Sequence, residues 1–324
     1  MQRFFKQLFL LHILVDAMFA GAAIAAEPVY PARPVRMLVG FTPGGTSDVV
    51  ARIMSKKLTD TWGQQFVVDN RAGAAGILAA DLTAHALPDG HTLFFVSSSF
   101  SMQPSATPNL PYDIQRDFAP VTLAVSSPYV LVLNPSVDAR NVKELIALAK
   151  AKPGQLSSAT AGPGSAIQGT AELFNTMAGV NILLVPYKGA VGITDLIAGQ
   201  VHTSFAGFVQ TMPHVRAGRL RAIAVSSAQR SALLPDLPPV AEAGVPGYDV
   251  TIWYGLVAPA RTPRAIIDKL NAGFVKNLQS PDVRQNLTDL GVEIVGGTPE
   301  QFAAIIRTDL DKWMRLAKRT ATVK

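Results

Sequence analysis

Apolar and polar positions change period along this chain in a regular order. Residues 35–39, 66–69 and 92–96 are short apolar runs of strand length, and 49–62 and 77–86 between them place apolar residues three and four apart, as a helix with one buried face does. Strand, helix, strand, helix, strand in that order predicts parallel strands with helices laid against them. A proline-rich passage, "QPSATPNLPYDIQRDFAPV", interrupts the rhythm. Strand character returns at 129–133, a helix is expected over 141–150, and a second series follows, with strands at 156–160, 182–186, 203–206 and 220–225 and helices at 166–178 and 190–198. The pattern predicts a second α/β wind after the break.

Another turn-rich stretch, "SALLPDLPPVAEAGVPGYDV", leads to a strand at 251–257, and the remainder reads as helix with one strand at 292–295. Thr262-Pro263 and Thr298-Pro299 put proline where a first helical turn accepts it, and Thr298 with Gln301 has the spacing of a capping box. The C-terminal part is expected to pack back on the first wind. The expected fold class is therefore α/β, in two lobes with a mainly parallel sheet in each and a ligand cleft between. Domain 1 is expected from 26–126 plus 251–324, and domain 2 from 127–250.

The first 25 residues stand apart. Arg3 and Lys6 precede a largely apolar stretch over 8–24, and Ala23-Ile24-Ala25 is a small-x-small cleavage site, which predicts a signal peptide over 1–25 and export to the periplasm. His12 and Asp16 interrupt that stretch and argue against a retained membrane anchor.

Composition narrows the chemistry. The 324 residues, 48% hydrophobic and 16% charged, suffice for two compact domains. A net charge of +6 without any cluster of basic residues gives no reason to expect nucleic acid and mildly favours small anions. With no cysteine there is no disulfide, thiol nucleophile or cysteine-based zinc site. His12, His85, His91, His202 and His214 have no metal-ligand spacing, so neither a metal nor another cofactor is expected. No Gly-x-Ser-x-Gly elbow, His-Glu-x-x-His or Gly-Lys-Ser/Thr loop occurs, so an enzyme is not expected, although a dispersed Ser-His-Asp triad is defined by geometry alone and stays open.

The candidate chemistry lies at two strand-to-helix loops. In "GFTPGGTSDVV", Phe41 and Thr42 lead into Gly44 and Gly45, which let a ligand approach the backbone, while Thr46 and Ser47 bring hydroxyls to a helix start with no lysine. A bare helix N-terminus suits an anion. Asp48 would repel an anion there, so it is assigned to loop geometry or to a ligand's amino or hydroxyl group. The counterpart, "SATAGPGSAIQGTAELF", offers Thr160, Ala161, Gly162, Gly164, Ser165 and Gln168, the last two with capping-box spacing. Its Gly-Pro-Gly is not a dinucleotide fingerprint, because Ile167 occupies the third glycine's place. Ser97, Ser98 and Ser99 follow a strand end and could donate hydroxyls, and Phe205 is a candidate wall for the ligand body.

In order along the chain, "YPARPVRMLVGFTPGGTSDVVAR", "VVDNRAGAAGILAA", "LPYDIQRDFAPV", "GPGSAIQGTAELF", "VPYKGA", "LIAGQV", "VRAGRLRAIAVSS" and "GLVAPARTP" resemble the Bug-type extracytoplasmic receptors of tripartite tricarboxylate transporters. The resemblance runs from Tyr30 to the C-terminal helix. It implies a monomeric periplasmic Venus flytrap that delivers a small carboxylate, aliphatic or aromatic, to a two-component membrane permease. It also implies that backbone amides, hydroxyls and water from loops 41–48 and 160–168 hold the carboxylate. This chain has Gly40-Phe41-Thr42-Pro43 where the family usually has Pro-Phe-Pro-Pro, and Gln168 where the family often has histidine. A co-sensor that docks on a membrane sensor kinase would use the same pocket.

Overall fold

The computed structural model describes residues 30–187 and 192–322; the expected signal peptide lies outside them, as does the start of the helix expected at 190–198. Two sheets organise the chain. The first holds β1 (Val35–Val39), β2 (Phe66–Asn70), β3 (Thr92–Ser97), β4 (Phe118–Pro128), β10 (Thr251–Pro259) and β11 (Glu293–Ile294), in the order β11-β4-β10-β3-β1-β2. The second holds β5 (Val130–Leu133), β6 (Ser157–Thr160), β7 (Leu183–Pro186), β8 (Thr203–Ala206) and β9 (Arg221–Val225), in the order β7-β6-β8-β5-β9.

Most strands in each sheet share a direction, but β10 pairs antiparallel with β3, and β5 pairs antiparallel with β8. The reversal follows from the crossings. Strands β1, β3, β6 and β8 run toward the cleft, whereas β5 enters the second lobe directly from the end of β4, and β10 starts on return from it. A strand that begins at the cleft must run away from it.

Helices α1 (Thr46–Trp62), α2 (Ile77–Ala84) and α3 (Ser99–Ala106) belong to the first sheet's connections, and α4 (Val142–Ala151), α5 (Ala166–Ala178), α6 (Ile193–Ile197) and α7 (Phe208–Arg216) to the second's. After β10 come α8 (Arg264–Leu278), α9 (Pro281–Asp289) and α10 (Pro299–Thr322). The capping box at α10 is complete: the Thr298 amide donates to Gln301 Oε1 at 2.9 Å and the Gln301 amide to Thr298 Oγ1 at 3.3 Å. Phe302 of that helix is fully buried edge-on against Trp253 of β10, so the C-terminal part does pack back on the first lobe. At α8, Pro263 is the N-cap itself rather than a first-turn residue.

Three elements were not visible in the apolar pattern. Strand β4 carries Pro120 and Pro128; Pro120 sits where the pairing of β4 with β10 shifts register, which is where a sheet accepts proline. Helices α3 and α7 contain Pro104 and Pro213, and so read as breaks.

Candidate functional site

Strands β1 and β3 are neighbours in the first sheet, and β6 and β8 are neighbours in the second. Each is followed at once by a helix, so the N-termini of α1, α3, α5 and α7 meet where the lobes face each other. They enclose a cavity of about 210 Å³ lined by Gly45, Thr46 and Ser47 of the first, Ser97 and Ser99 at the second, Ser165, Ala166 and Ile167 of the third, and Gly207 and Gln210 of the fourth. Phe41, Thr42, Pro43, Gly44, Ala161, Tyr129 and Tyr254 complete the wall. Among the described residues no Asp, Glu, Lys, Arg or His lines it.

The helix ends supply polarity instead. The first amides of a helix have no acceptor within it and carry partial positive charge. Helices α1, α3 and α7 start at Gly45, Ser98 and Gly207, none of which makes a side-chain capping bond. Helix α5 differs: Ser165 Oγ accepts from the Gln168 amide at 3.2 Å, and the Ala166 amide donates across the cleft to Ser99 Oγ at 2.9 Å. The capping box expected there is therefore half formed, because the Gln168 side chain turns away and donates to Glu172 Oε1 at 2.9 Å.

Asp48 shapes the first loop. Its buried carboxylate accepts from the Gly44 amide at 3.0 Å and from Asn70 Nδ2 at 2.9 Å, and pairs with Arg52 at 2.9 Å. Burial works to raise its pKa, but the bonds from Arg52, Gly44 and Asn70 together with the Arg52 charge outweigh it and hold the carboxyl below its usual range. Gly44 has φ 87°, a left-handed turn that glycine adopts without strain, so its amide can point back at Asp48.

Two phenols come from the crossing strands. Tyr254 lies on β10 opposite Ser97, and Tyr129 immediately precedes β5. Burial pushes the Tyr254 phenol up to about 12 against an opposing hydrogen bond from Thr46, and burial, with the nearby Tyr254, also raises Tyr129 well above its usual range. Both phenols are protonated at neutral pH and can donate to an anion.

Of the residues singled out in the sequence, Phe41, Thr42, Gly44, Gly45, Thr46, Ser47, Ser97, Ser99, Ala161 and Ser165 reach the cavity wall. Asp48 stands behind the loop. Ser98 Oγ is buried without a hydrogen-bond partner. Thr160 is buried and its hydroxyl donates to Gln168 Oε1 at 3.2 Å; Gly162 accepts from Ser165 Oγ at 2.6 Å. Gly164 and Gln168 line a neighbouring groove, and Phe205 stacks on Tyr248 inside the second lobe's core. Pro43, Ala166 and Ile167 lie within the two loops read from the sequence but were not singled out, and sequence reasoning missed Tyr129, Gly207, Gln210 and Tyr254. A glycine directly after the strand at 203–206 was the available signal for Gly207.

The chain matches the family model described as "Tripartite tricarboxylate transporter family receptor" over residues 50–321, and it belongs to that family. It is 36% identical over 315 residues to Protein BugT of Bordetella pertussis, covering 95% of this chain and 97% of that one. Among solved structures it resembles R. palustris Rpa4515 with adipate (35% identity, TM-score 0.85, 89% of this chain and 97% of that one). It also resembles MatC from Rhodopseudomonas palustris with bound malate (33% identity, TM-score 0.84, 89% of this chain and 100% of that one). The chain is thus a Bug-type solute receptor with the two-lobed fold of periplasmic binding proteins.

Proposed function

We propose that this chain is exported to the periplasm, its signal cut near Ala25, and there captures a small organic carboxylate as a monomer. It then delivers that ligand to a two-component permease of the tripartite tricarboxylate type. The carrying observation is that four helix N-termini, three of them without a side-chain cap, converge on one cavity whose wall, among the described residues, holds no Asp, Glu, Lys, Arg or His. An anion there gains about 0.3 to 1 kcal/mol per helix end, and up to about 2 when partly buried, besides its hydrogen bonds. The ligands of Rpa4515 and MatC, adipate and malate, are carboxylates and support the reading.

Capture proceeds by closure of domain 1 (26–126 plus 251–324) on domain 2 (127–250) about the crossings beside β5 and β10. Contacts such as the one between Ala166 and Ser99 form only when the lobes meet. A thermal-shift screen of mono-, di- and tricarboxylates, aliphatic and aromatic, tests the proposal on the mature protein. A ligand at about one hundred times its Kd raises stability by about 2.7 kcal/mol. A response to nucleotides or metal ions alone would overturn it.

A further inference from the structure

Gly169 occupies the fourth position of α5, inside the helix, where alanine is the better helix former and where no positive φ calls for glycine. Its neighbours supply the reason. A Cβ built there would lie 3.2 Å from Met102 Sδ and 3.2 Å from the Trp313 indole. Met102 is on α3 and Trp313 on α10, so this glycine is where a second-lobe helix comes up against the first lobe.

The indole is held in place from behind. Trp313 is buried, and its Nε1 donates to Asp309 Oδ1 at 2.9 Å. The other Asp309 oxygen accepts from Ser101 Oγ at 2.5 Å and from Trp253 Nε1 at 3.1 Å. Ser101 lies two residues beyond Ser99, and Trp253 directly precedes Tyr254. One carboxylate thus ties α3, β10 and α10 together behind the cavity and fixes the ring that meets Gly169. The meeting point lines a separate groove of about 580 Å³ that also carries Ser105, Glu172 and Leu316.

We infer that Gly169 and Trp313 form a closure latch, an inter-lobe contact outside the ligand cavity that sets ligand affinity, with Asp309 as its positioning residue. The inference rests on the proposed capture by closure. Opening the lobes carries α5 away from α3 and α10, so the contact stabilises only the closed state, and a ligand's apparent affinity follows the closed fraction.

The test is titration calorimetry with adipate and with malate on the mature chain, beside the unfolding midpoint of each ligand-free protein. Gly169→Ala should weaken binding by about tenfold, as crowding of a close contact does, while leaving the ligand-free midpoint unchanged or raised. Adding Trp313→Phe should recover part of that affinity, because the smaller ring makes room for the new methyl. Asp309→Asn should weaken binding less than Gly169→Ala. Unchanged affinity in Gly169→Ala, or no recovery in the double variant, would overturn the latch while leaving the receptor reading intact. Failure of the unsubstituted chain to bind any carboxylate would overturn both.

Discussion

The two loops that face each other across the cavity have similar sequences, Pro-Gly-Gly-Thr-Ser at 43–47 and Gly-Pro-Gly-Ser-Ala at 162–166, and different internal bonding. In the first, the helix start is uncapped and the loop is braced by Asp48, Asn70 and Arg52, all in the same lobe. In the second, Ser165 caps its own helix and Ser99 of the opposite lobe takes the Ala166 amide. The first loop is complete without its partner, spending the Gly44 amide on its own Asp48 and leaving its helix start without a side-chain cap. The second has given part of its donor capacity to capping and to the inter-lobe contact. The difference predicts that the first lobe receives the carboxylate and that the second mainly converts closure into affinity.

The largest effect is expected at Gly44. A valine there would have to hold φ 87°, at a cost of about 1 to 2 kcal/mol in backbone strain, and would turn the amide away from Asp48. Gly44→Val should abolish the thermal shift by carboxylates while leaving a folded protein by circular dichroism. The next contrast is between the two braces. Asp48→Ala leaves the Gly44 amide without its acceptor and reduces Asn70 to its bond with the Phe41 carbonyl and Arg52 to its bond with Asn70, and it should cost about 1 to 3 kcal/mol in stability, with about a tenfold loss of affinity. Ser165→Ala removes a cap worth about 1 kcal/mol and should change affinity by no more than about threefold. Equal affinity losses in calorimetry would mean that both loops grip the ligand alike.

These braces mark how far the sequence could be read. The glycines and hydroxyls of both loops announce themselves, because a strand end, Gly-Gly or Gly-Pro-Gly, and a hydroxyl before an amphipathic run have few other uses. The box at Thr298 and Gln301 was legible for the same local reason. What stayed hidden depends on distant pairing. Tyr129 and Tyr254 reach the cavity only because the crossing strands β5 and β10 lie beside β8 and β3, which no local pattern encodes. Helices α3 and α7 were masked by a proline in each, and with them two of the four converging helix starts. Phe205 was a plausible ligand wall until its stacking on Tyr248 placed it in the core.

A smaller effect is expected from pH, and its sign separates two buried acids. Asp48 is held below the usual carboxyl range, so its stabilising contribution is present above that range and disappears as pH falls through its lowered value. Asp309 is raised, chiefly by burial and against the bonds from Ser101, Trp253 and Trp313 and the Lys312 charge. Its contribution is therefore present at low pH and declines as pH climbs through the raised value. Unfolding midpoints measured from about pH 3 to about pH 7 should lose part of their acid limb in Asp48→Asn and steepen toward neutral pH in no variant that lacks Asp309. An unchanged acid limb in Asp48→Asn would remove that residue from the bracing of the first loop.

The smallest effect should come from salt, and its smallness is the point. A receptor that grips its anion with lysine or arginine at a solvated surface loses affinity as ions screen the pair, over a distance of about 8 to 10 Å at physiological ionic strength. Here the nearest bracing cation, Arg52, is turned to Asp48 and half exposed, and among the described residues no charged side chain lines the cavity. On the proposed reading the attraction would come from amides and hydroxyls around the cavity, in a space that closure would shield from bulk ions. The net charge of +6 acts at long range, so it changes the association rate before it changes the equilibrium. Raising salt from about 50 to about 500 mM should therefore shift Kd by less than about threefold, with most of that in the on-rate. A tenfold loss in the same titration would place a cation at the carboxylate and remove the uncapped helix ends from the leading role.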